Sequence, residues 1–229
     1  MFSQYYMMIQ LSEEAEMAVE EAWQGKPGNI LSEAFRMRIK GADLRTLSSL
    51  EWLNDEIMNF YFNLIQERSG SDNLPSVHVF NTFFYPKVLK EGHKGVRRWT
   101  KQVDLFSKDI ILIPVHLGVH WCLACIHLRK GLIQYFDSMG GRNQQCLMAL
   151  KKYIEDESID KRKQTLDTSH WVLECVQGIP QQMNGSDCGV FACKFAEYLS
   201  RDADFTFGQE HMPYFRKRMA YEILTKKLL

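Results

Sequence analysis

Three apolar runs separated by short breakers lie in the middle of this chain, and they leave few architectures open. Ile110-Ile111-Leu112-Ile113-Pro114-Val115 carries no alternating polar residues and reads as a buried strand. His116-Leu117-Gly118-Val119 follows as a turn, and Trp121 to Leu128 forms a second strand opened by His120. After the breaker Arg129-Lys130-Gly131, Leu132-Ile133-Gln134-Tyr135-Phe136 forms a third strand, which Asp137 ends before the turn Ser138-Met139-Gly140-Gly141. Connections this short join antiparallel neighbours, because a parallel pair needs a long crossover. The centre of the protein is therefore expected to be an antiparallel sheet.

The last two strands form a hairpin that brings His120 and Asp137 to one edge of that sheet. A two-residue turn at Lys130-Gly131 would set Gly141 opposite His120, so a bulge or a fold-back of the histidine is expected. His120 is one of seven histidines, and a lone histidine is more often a satisfied polar group than a catalyst. The competing candidate is His116, which falls where the first strand runs out rather than beside the acidic strand end.

A thiol nucleophile needs such a base, and the base needs an orienting group. The nucleophile candidate is Cys188, in Pro180-Gln181-Gln182-Met183-Asn184-Gly185-Ser186-Asp187-Cys188-Gly189. Cap-type Ser186 and Asp187 precede the apolar positions Val190, Phe191, Phe195, Tyr198 and Leu199, so a helix starts at or beside the sulfur. Helix N-termini favour anions, and thiolates in such places are the reactive ones. The competing reading of Cys188 is a small buried hydrophobe. Gln182 lies just upstream, and a side-chain amide can donate to a developing oxyanion; Gln181 is an equal candidate from local pattern.

Elsewhere, Ser12-Glu13-Glu14 begins an acidic helix running through Met17, Val19 and Trp23 to the breaker Gly25-Lys26-Pro27-Gly28. Asn54-Asp55-Glu56 caps a strong helix that directs Ile57, Phe60, Tyr61, Leu64 and Ile65 to the core before Gly70. Helix signals recur over 145–154 and 213–228, and 156–178 is the most loop-like interior stretch, with helix, strand and coil signals mixed. Helices flanking a mostly antiparallel sheet, with the nucleophile helix packed on it, give an α+β class.

Composition narrows the function. The 229 residues carry a formal net charge of +0, with 45% hydrophobic and 24% charged residues, ordinary for a globular chain and no sign of general nucleic-acid binding. The basic runs Lys161-Arg162-Lys163 and Arg216-Lys217-Arg218 read as solvated faces. No apolar run is long enough to span a membrane and no secretory signal opens the chain, so an intracellular protein is expected. Cys122 and Cys125 have zinc-knuckle spacing, but odd spacing in a strand sends them to opposite faces and no second pair follows. The six cysteines are expected to be reduced thiols, with neither metal nor cofactor bound.

His120-Trp121, Asp137-Ser138 and Gln182 through Gly189 resemble the His, Asp and Cys blocks of the ubiquitin-like-protein-specific cysteine proteases, the SUMO (sentrin) deconjugating family. So do Trp52-Leu53-Asn54-Asp55-Glu56-Ile57 with Asn59-Phe60-Tyr61, Asn81-Thr82-Phe83-Phe84, Arg98-Trp99-Thr100-Lys101 and His211 through Met219. Together these blocks resemble the branch containing sentrin-specific proteases 1 and 2. The resemblance covers roughly 31–229 and implies a catalytic domain there, preceded by an acidic helical extension over 1–30. It implies a papain-like cysteine-protease fold in the chain order His, Asp, Cys, with Cys188, His120, Asp137 and Gln182 as the catalytic set. It also implies that Trp52 and Trp121 cover a glycine tail in a narrow tunnel, and that Asp55, Phe83, Arg98 and Lys101 lie on the modifier-binding face. Packing alone would otherwise account for the tryptophans, and a helix-start acid, a core aromatic and two exposed cations for the rest. The implied activity is cleavage after the Gly-Gly of a SUMO-type modifier, from substrate lysines and from precursors, by a monomer in the nucleus or cytoplasm. A cysteine acyltransferase would need an acyl-donor cofactor, and no phosphate-binding Gly-rich loop occurs. A silent modifier-binding module would have no need of an intact Cys, His and Asp set.

Overall fold

The computed structural model describes residues 10–69 and 73–229. Gly70 and the first nine residues of the expected extension lie outside the described residues. In chain order the elements are α1 (Glu13–Gln24), β1 (Ile30–Ala34), β2 (Met37–Lys40), α2 (Gly41–Leu44), α3 (Asp55–Arg68), β3 (Val77–Val79) and α4 (Phe84–Val96, kinked at Gly92). There follow β4 (Ile110–His116), β5 (Trp121–His127), β6 (Leu132–Phe136), α5 (Gln144–Arg162), β7 (Val172–Cys175), α6 (Cys188–Leu199) and α7 (Met212–Thr225).

The three apolar runs become β4, β5 and β6, paired antiparallel at the centre of a five-stranded sheet ordered β3-β4-β5-β6-β7. Each edge strand joins in parallel, β3 beside β4 and β7 beside β6. Parallel pairing needs a crossover, and the chain supplies one each time: α4 lies between β3 and β4, and α5 between β6 and β7. The class is α+β, a mixed sheet with helices on both faces. β1 and β2 form a separate hairpin.

Period-two alternation divides the core into two layers. Trp121, Leu123 and Cys125 of β5 pack with the apolar faces of α3, α6 and α7. Cys122, Ala124 and Ile126 pack with α4 and α5. The two cysteines therefore belong to different layers. α1 is capped by Ser12, whose Oγ accepts from the Ala15 N–H at 3.2 Å, and buries Ala15, Val19 and Ala22. Val19 and Ala22 join the same core layer as α7.

One sequence expectation is sharpened and one changes. The mixed signals over 156–178 resolve into the end of α5, which continues to Arg162 helped by Lys151–Glu155 and Lys152–Asp156 pairs, then loop, then β7. Both were hidden by weak apolar periodicity, because the end of α5 and the edge strand β7 are largely exposed. The β5–β6 register differs. His127 pairs with Leu132, leaving a four-residue connection, and Leu123 pairs with Phe136. One further step along this register sets Cys122 against Asp137, with His120 its diagonal neighbour on the same side. No bulge is needed.

Because Leu123 is fully buried between β5 and α6, Leu123→Ala should lower the unfolding free energy by about 2–5 kcal/mol in denaturant titrations. Val172→Ala, at an edge-strand position 57% exposed, should change it by no more than about 0.5 kcal/mol.

Candidate active site

The β4–β5 turn closes tightly, with the Leu117 N–H bonded to the His120 carbonyl at 2.9 Å. Gly118 sits at φ 85°, in the left-handed region that a side chain disfavours. This turn delivers His120 to the sheet end where β6 stops, and its Nε2 lies 2.7 Å from Asp137 Oδ1. The same carboxylate oxygen accepts from the Met139 N–H at 2.8 Å. Nε2 is thus committed to Asp137, and Nδ1 is the ring nitrogen left for sulfur. Among the described residues His116 has no carboxylate partner; it stacks on Trp121, ring centroids 4.2 Å apart.

Cys188 is the first residue of α6 and is 3% exposed. The turn before it is organised by Asn184, whose Oδ1 accepts from the backbone N–H groups of Ser186 and Asp187, both at 3.0 Å. Asp187, expected from its position to cap the helix, makes no side-chain cap bond. Its carboxylate instead accepts from Arg216 Nε at 2.8 Å, Asn184 Nδ2 at 2.7 Å and Gln209 Nε2 at 2.8 Å. A buried carboxylate is drawn to the buried guanidinium more strongly than to backbone N–H groups. The first-turn N–H groups of α6 are left free of that side chain. Gly189 packs against Leu53 so closely that a Cβ there would lie 2.9 Å from the leucine side chain.

The two glutamines separate. Gln181 is exposed, whereas Gln182 is half-buried and tied into the site. Ser138 Oγ donates to Gln182 Oε1 at 2.6 Å, the Gln182 N–H bonds the Ser138 carbonyl at 2.9 Å, and Gln182 Nε2 donates to the Asn184 carbonyl at 2.6 Å. Gln182 therefore bridges the turn after Asp137 and the turn before Cys188.

Trp121 is buried and its indole N–H donates to the Leu53 carbonyl at 2.9 Å, next to Trp52, which is 53% exposed. Asp55 begins α3, and one turn on, Asn59 holds the Phe83 loop by bonds to Thr82 at 2.9 and 3.1 Å. Phe83 is 59% exposed, which removes the core-aromatic alternative. Arg98 and Lys101 are exposed on one loop that Thr100 fastens to the buried Glu157 of α5. The structure thus brings Cys188, His120, Asp137, Gln182, Trp52 and Trp121 to one end of the sheet. Asp55, Phe83, Arg98 and Lys101 lie on the surface outside it.

Sequence reasoning missed Cys122, Asn184 and Arg216. Cys122 stands two residues after His120 and so on the same side of the strand, a spacing that could have exposed it; its sulfur, the His120 ring and Asp137 bring donor atoms within 4.8 Å of one another. Arg216 belongs to the run read as a solvated face, yet it is 3% exposed. Nothing in its local sequence distinguishes it from its neighbours Lys217 and Arg218.

The electrostatics follow the contacts. The hydrogen bond to Asp137 pushes the His120 pKa up to about 12, helped by the sulfurs of Cys122 and Cys188 and opposed by burial. Burial works against the ionised form of Asp137, but the bonds from His120 and the Met139 N–H outweigh it and hold the carboxyl below its ordinary 3.8. Burial pushes the thiol of Cys122 up despite hydrogen bonds from His120 and Tyr135, so this second cysteine beside the imidazole stays protonated. Burial likewise raises Cys125, Cys146 and Cys193.

The match to known proteins is extensive. Residues 51–228 match the model of the Ulp1 protease family, C-terminal catalytic domain. A sentrin-specific protease of Caenorhabditis elegans is 48% identical over 221 residues, 96% of this chain and 32% of the relative. Human sentrin-specific protease 2 is 47% identical over 225 residues, 97% of this chain and 38% of the relative. The chain therefore spans about a third to two fifths of these relatives. The C-terminal Ulp1 protease domain, solved in complex with Smt3, the yeast orthologue of SUMO, superposes with a TM-score of 0.85 at 31% identity, covering 96% of this chain and 97% of that one.

The His120–Asp137 pair sets a pH window for stability. His120 is raised in the fold, so its contribution is complete below its ordinary 6.5 and is lost as pH rises toward about 12. Asp137 is lowered, so its contribution is present above 3.8 and is lost as pH falls through the depressed value. The difference in unfolding free energy between the parent and Asp137→Asn should be greatest between about pH 4 and 6.5 and shrink on both sides. Denaturant titrations across pH measure it, and a flat difference would contradict the pairing.

Proposed function

The chain belongs to the Ulp1 protease family, and from that membership we propose that it is a SUMO-specific cysteine protease. It cleaves after the C-terminal Gly-Gly of SUMO, releasing the modifier from substrate lysines and maturing its precursors. One observation carries this reading: a cysteine at a helix N-terminus beside an imidazole whose far nitrogen is held 2.7 Å from a carboxylate. That is the constellation of thiol acyl transfer. Six unpaired thiols suit a reducing compartment, the nucleus or the cytoplasm. Among the described residues no helix is long and apolar enough to cross a membrane. The protein acts as a monomer on SUMO and SUMO-conjugated proteins.

The sulfur of Cys188, paired with the protonated His120, attacks the glycine carbonyl. Negative charge develops on its oxygen, which is met by the first-turn N–H groups of α6 and by Gln182. An amide nitrogen carries two N–H donors, so the oxyanion is served by the one that Asn184 does not take. The C–N bond breaks, His120 gives its proton to the departing lysine amine, and a thioester remains. Water, deprotonated by His120, then attacks that thioester, releasing the glycine carboxylate and restoring the pair. Asp137 holds the ring throughout.

Trp52 and Trp121 form the tail channel on this reading, joined through the Leu53 carbonyl. Asp55, Phe83, Arg98 and Lys101 receive the globular modifier, whose contact area lies away from the reacting bond.

Incubation with SUMO bearing a C-terminal reporter, beside a panel of other ubiquitin-like modifiers, tests the function. The parent should release the reporter from SUMO, and Cys188→Ser should lose turnover while keeping SUMO binding within about threefold. Turnover retained by that variant would move the nucleophile elsewhere. Trp52→Ala should reduce kcat/KM by about 100-fold with little change in SUMO affinity, since misplacing the scissile carbonyl by about 1 Å costs that much. Parent-like cleavage by the folded variant would reduce the tryptophan to packing.

A further inference from the structure

The segment that carries Trp52 has little regular structure of its own. After the 3₁₀ turn at Arg45–Leu47 the chain runs without helix or strand to the start of α3, passing through Ser49 at φ 58°. Main-chain carbonyls in such a stretch are held by side chains or by water. Here the two carbonyls that flank Trp52 are both held by side chains. The Leu53 carbonyl accepts from the Trp121 indole at 2.9 Å, and Trp121 directly follows His120. The Glu51 carbonyl accepts from Arg216 Nη2 at 2.9 Å.

Arg216 reaches further than this one bond. Its Nη1 donates to the Thr46 carbonyl at 3.0 Å, its Nη2 to the Ser186 carbonyl at 3.2 Å, and its Nε to Asp187 Oδ1 at 2.8 Å. A guanidinium is planar, permanently charged and able to serve several acceptors in fixed directions. In this position it joins the residue before the nucleophile to the residue before Trp52. The far side of Asp187 is closed by Asn184 and Gln209, so the carboxylate cannot turn away and carry the arginine with it.

We propose that Arg216 is a positioning residue that clamps the Asn184–Cys188 turn to the Thr46–Leu53 segment and so fixes the distance between the sulfur and the tail channel. Trp52 is then suspended between two blocks, one belonging to the nucleophile through Arg216 and one to the base through Trp121. The inference rests on the function proposed above for its catalytic consequence, but not for its structural one.

Arg216→Lys is the decisive variant, because it keeps a positive charge against Asp187 while losing the fork that reaches three carbonyls. The paired change Arg216→Met with Asp187→Asn guards against misfolding, since it leaves no buried charge without its partner. With the SUMO reporter, kcat should fall about 100-fold for both while KM stays within about threefold, because the surface around Phe83 and Arg98 is untouched. Alkylation of Cys188 by iodoacetamide, followed by peptide mass spectrometry, should stay within about threefold of the parent, since a small reagent does not need the channel. General loosening of the fold would change both rates. Hydrogen exchange, which requires no substrate, should show protection lost in 46–53. Exchange unchanged in that segment overturns the clamp, and so does parent-like kcat in a folded variant. A parent that releases no SUMO reporter would refute the proposed function while leaving hydrogen exchange to decide the clamp.

Discussion

Strand β5 is buried on both faces, and this constraint organises the molecule. A strand with Trp121, Leu123 and Cys125 on one side and Cys122, Ala124 and Ile126 on the other must be covered twice. Helix α6 covers one side with α3 and α7, and α4 with α5 covers the other. Antiparallel neighbours satisfy its main chain along both edges. Once β5 is fixed in depth and direction, its first residues emerge where α6 begins, and His120 meets Cys188 at that end. The site is thus a consequence of packing a helix N-terminus across the open end of a hairpin.

Burial at this end has an electrostatic side. Carboxylates and cations are costly to desolvate unless paired, and the structure pairs them. Asp187 has Arg216 at 2.8 Å, both almost wholly buried. Two turns further along α6, Lys194 lies 3.4 Å from Glu197, which also accepts from Arg68 at 2.6 Å. Burial lowers the pKa of Lys194, and the neighbouring Glu197 and Glu222 work against that shift. Helix α6 is therefore tied by charged pairs both at its start and towards its C-terminal end.

The catalytic proposal gives each polar group near Cys188 a distinct task. Asn184 shapes the turn, Gln182 ties that turn to the one after Asp137, and Asp187 is occupied with the arginine rather than with the helix. Two thiols lie beside His120, yet only Cys188 stands at a helix N-terminus; Cys122 is buried within the strand, and burial holds its thiol pKa up despite the hydrogen bonds to His120 and Tyr135. Location relative to the helix end, more than contact with the imidazole, distinguishes the proposed nucleophile from its neighbour.

The sequence by itself determined the three central strands β4, β5 and β6, the helix starting at Cys188, the meeting of His120 with Asp137 at one sheet end, and the family blocks around them. These are short-range features: apolar runs, turn residues and caps act within a few residues of chain. The register of β5 on β6 was not legible, because a two-residue and a four-residue connection both fit Leu128 through Gly131, and only packing against both core layers chooses between them. Gln182 could not be told from Gln181 until Ser138 and Asn184 bonded one of them. Phe83, placed by the family resemblance on the modifier-binding face with a core aromatic as the alternative, is exposed, and its neighbour Phe84 takes the buried place. Arg216 looked like surface and is buried, because its partners Asp187, Glu51 and Thr46 come from distant parts of the chain. Contacts of that range carry no local signature, and tertiary structure alone decided them.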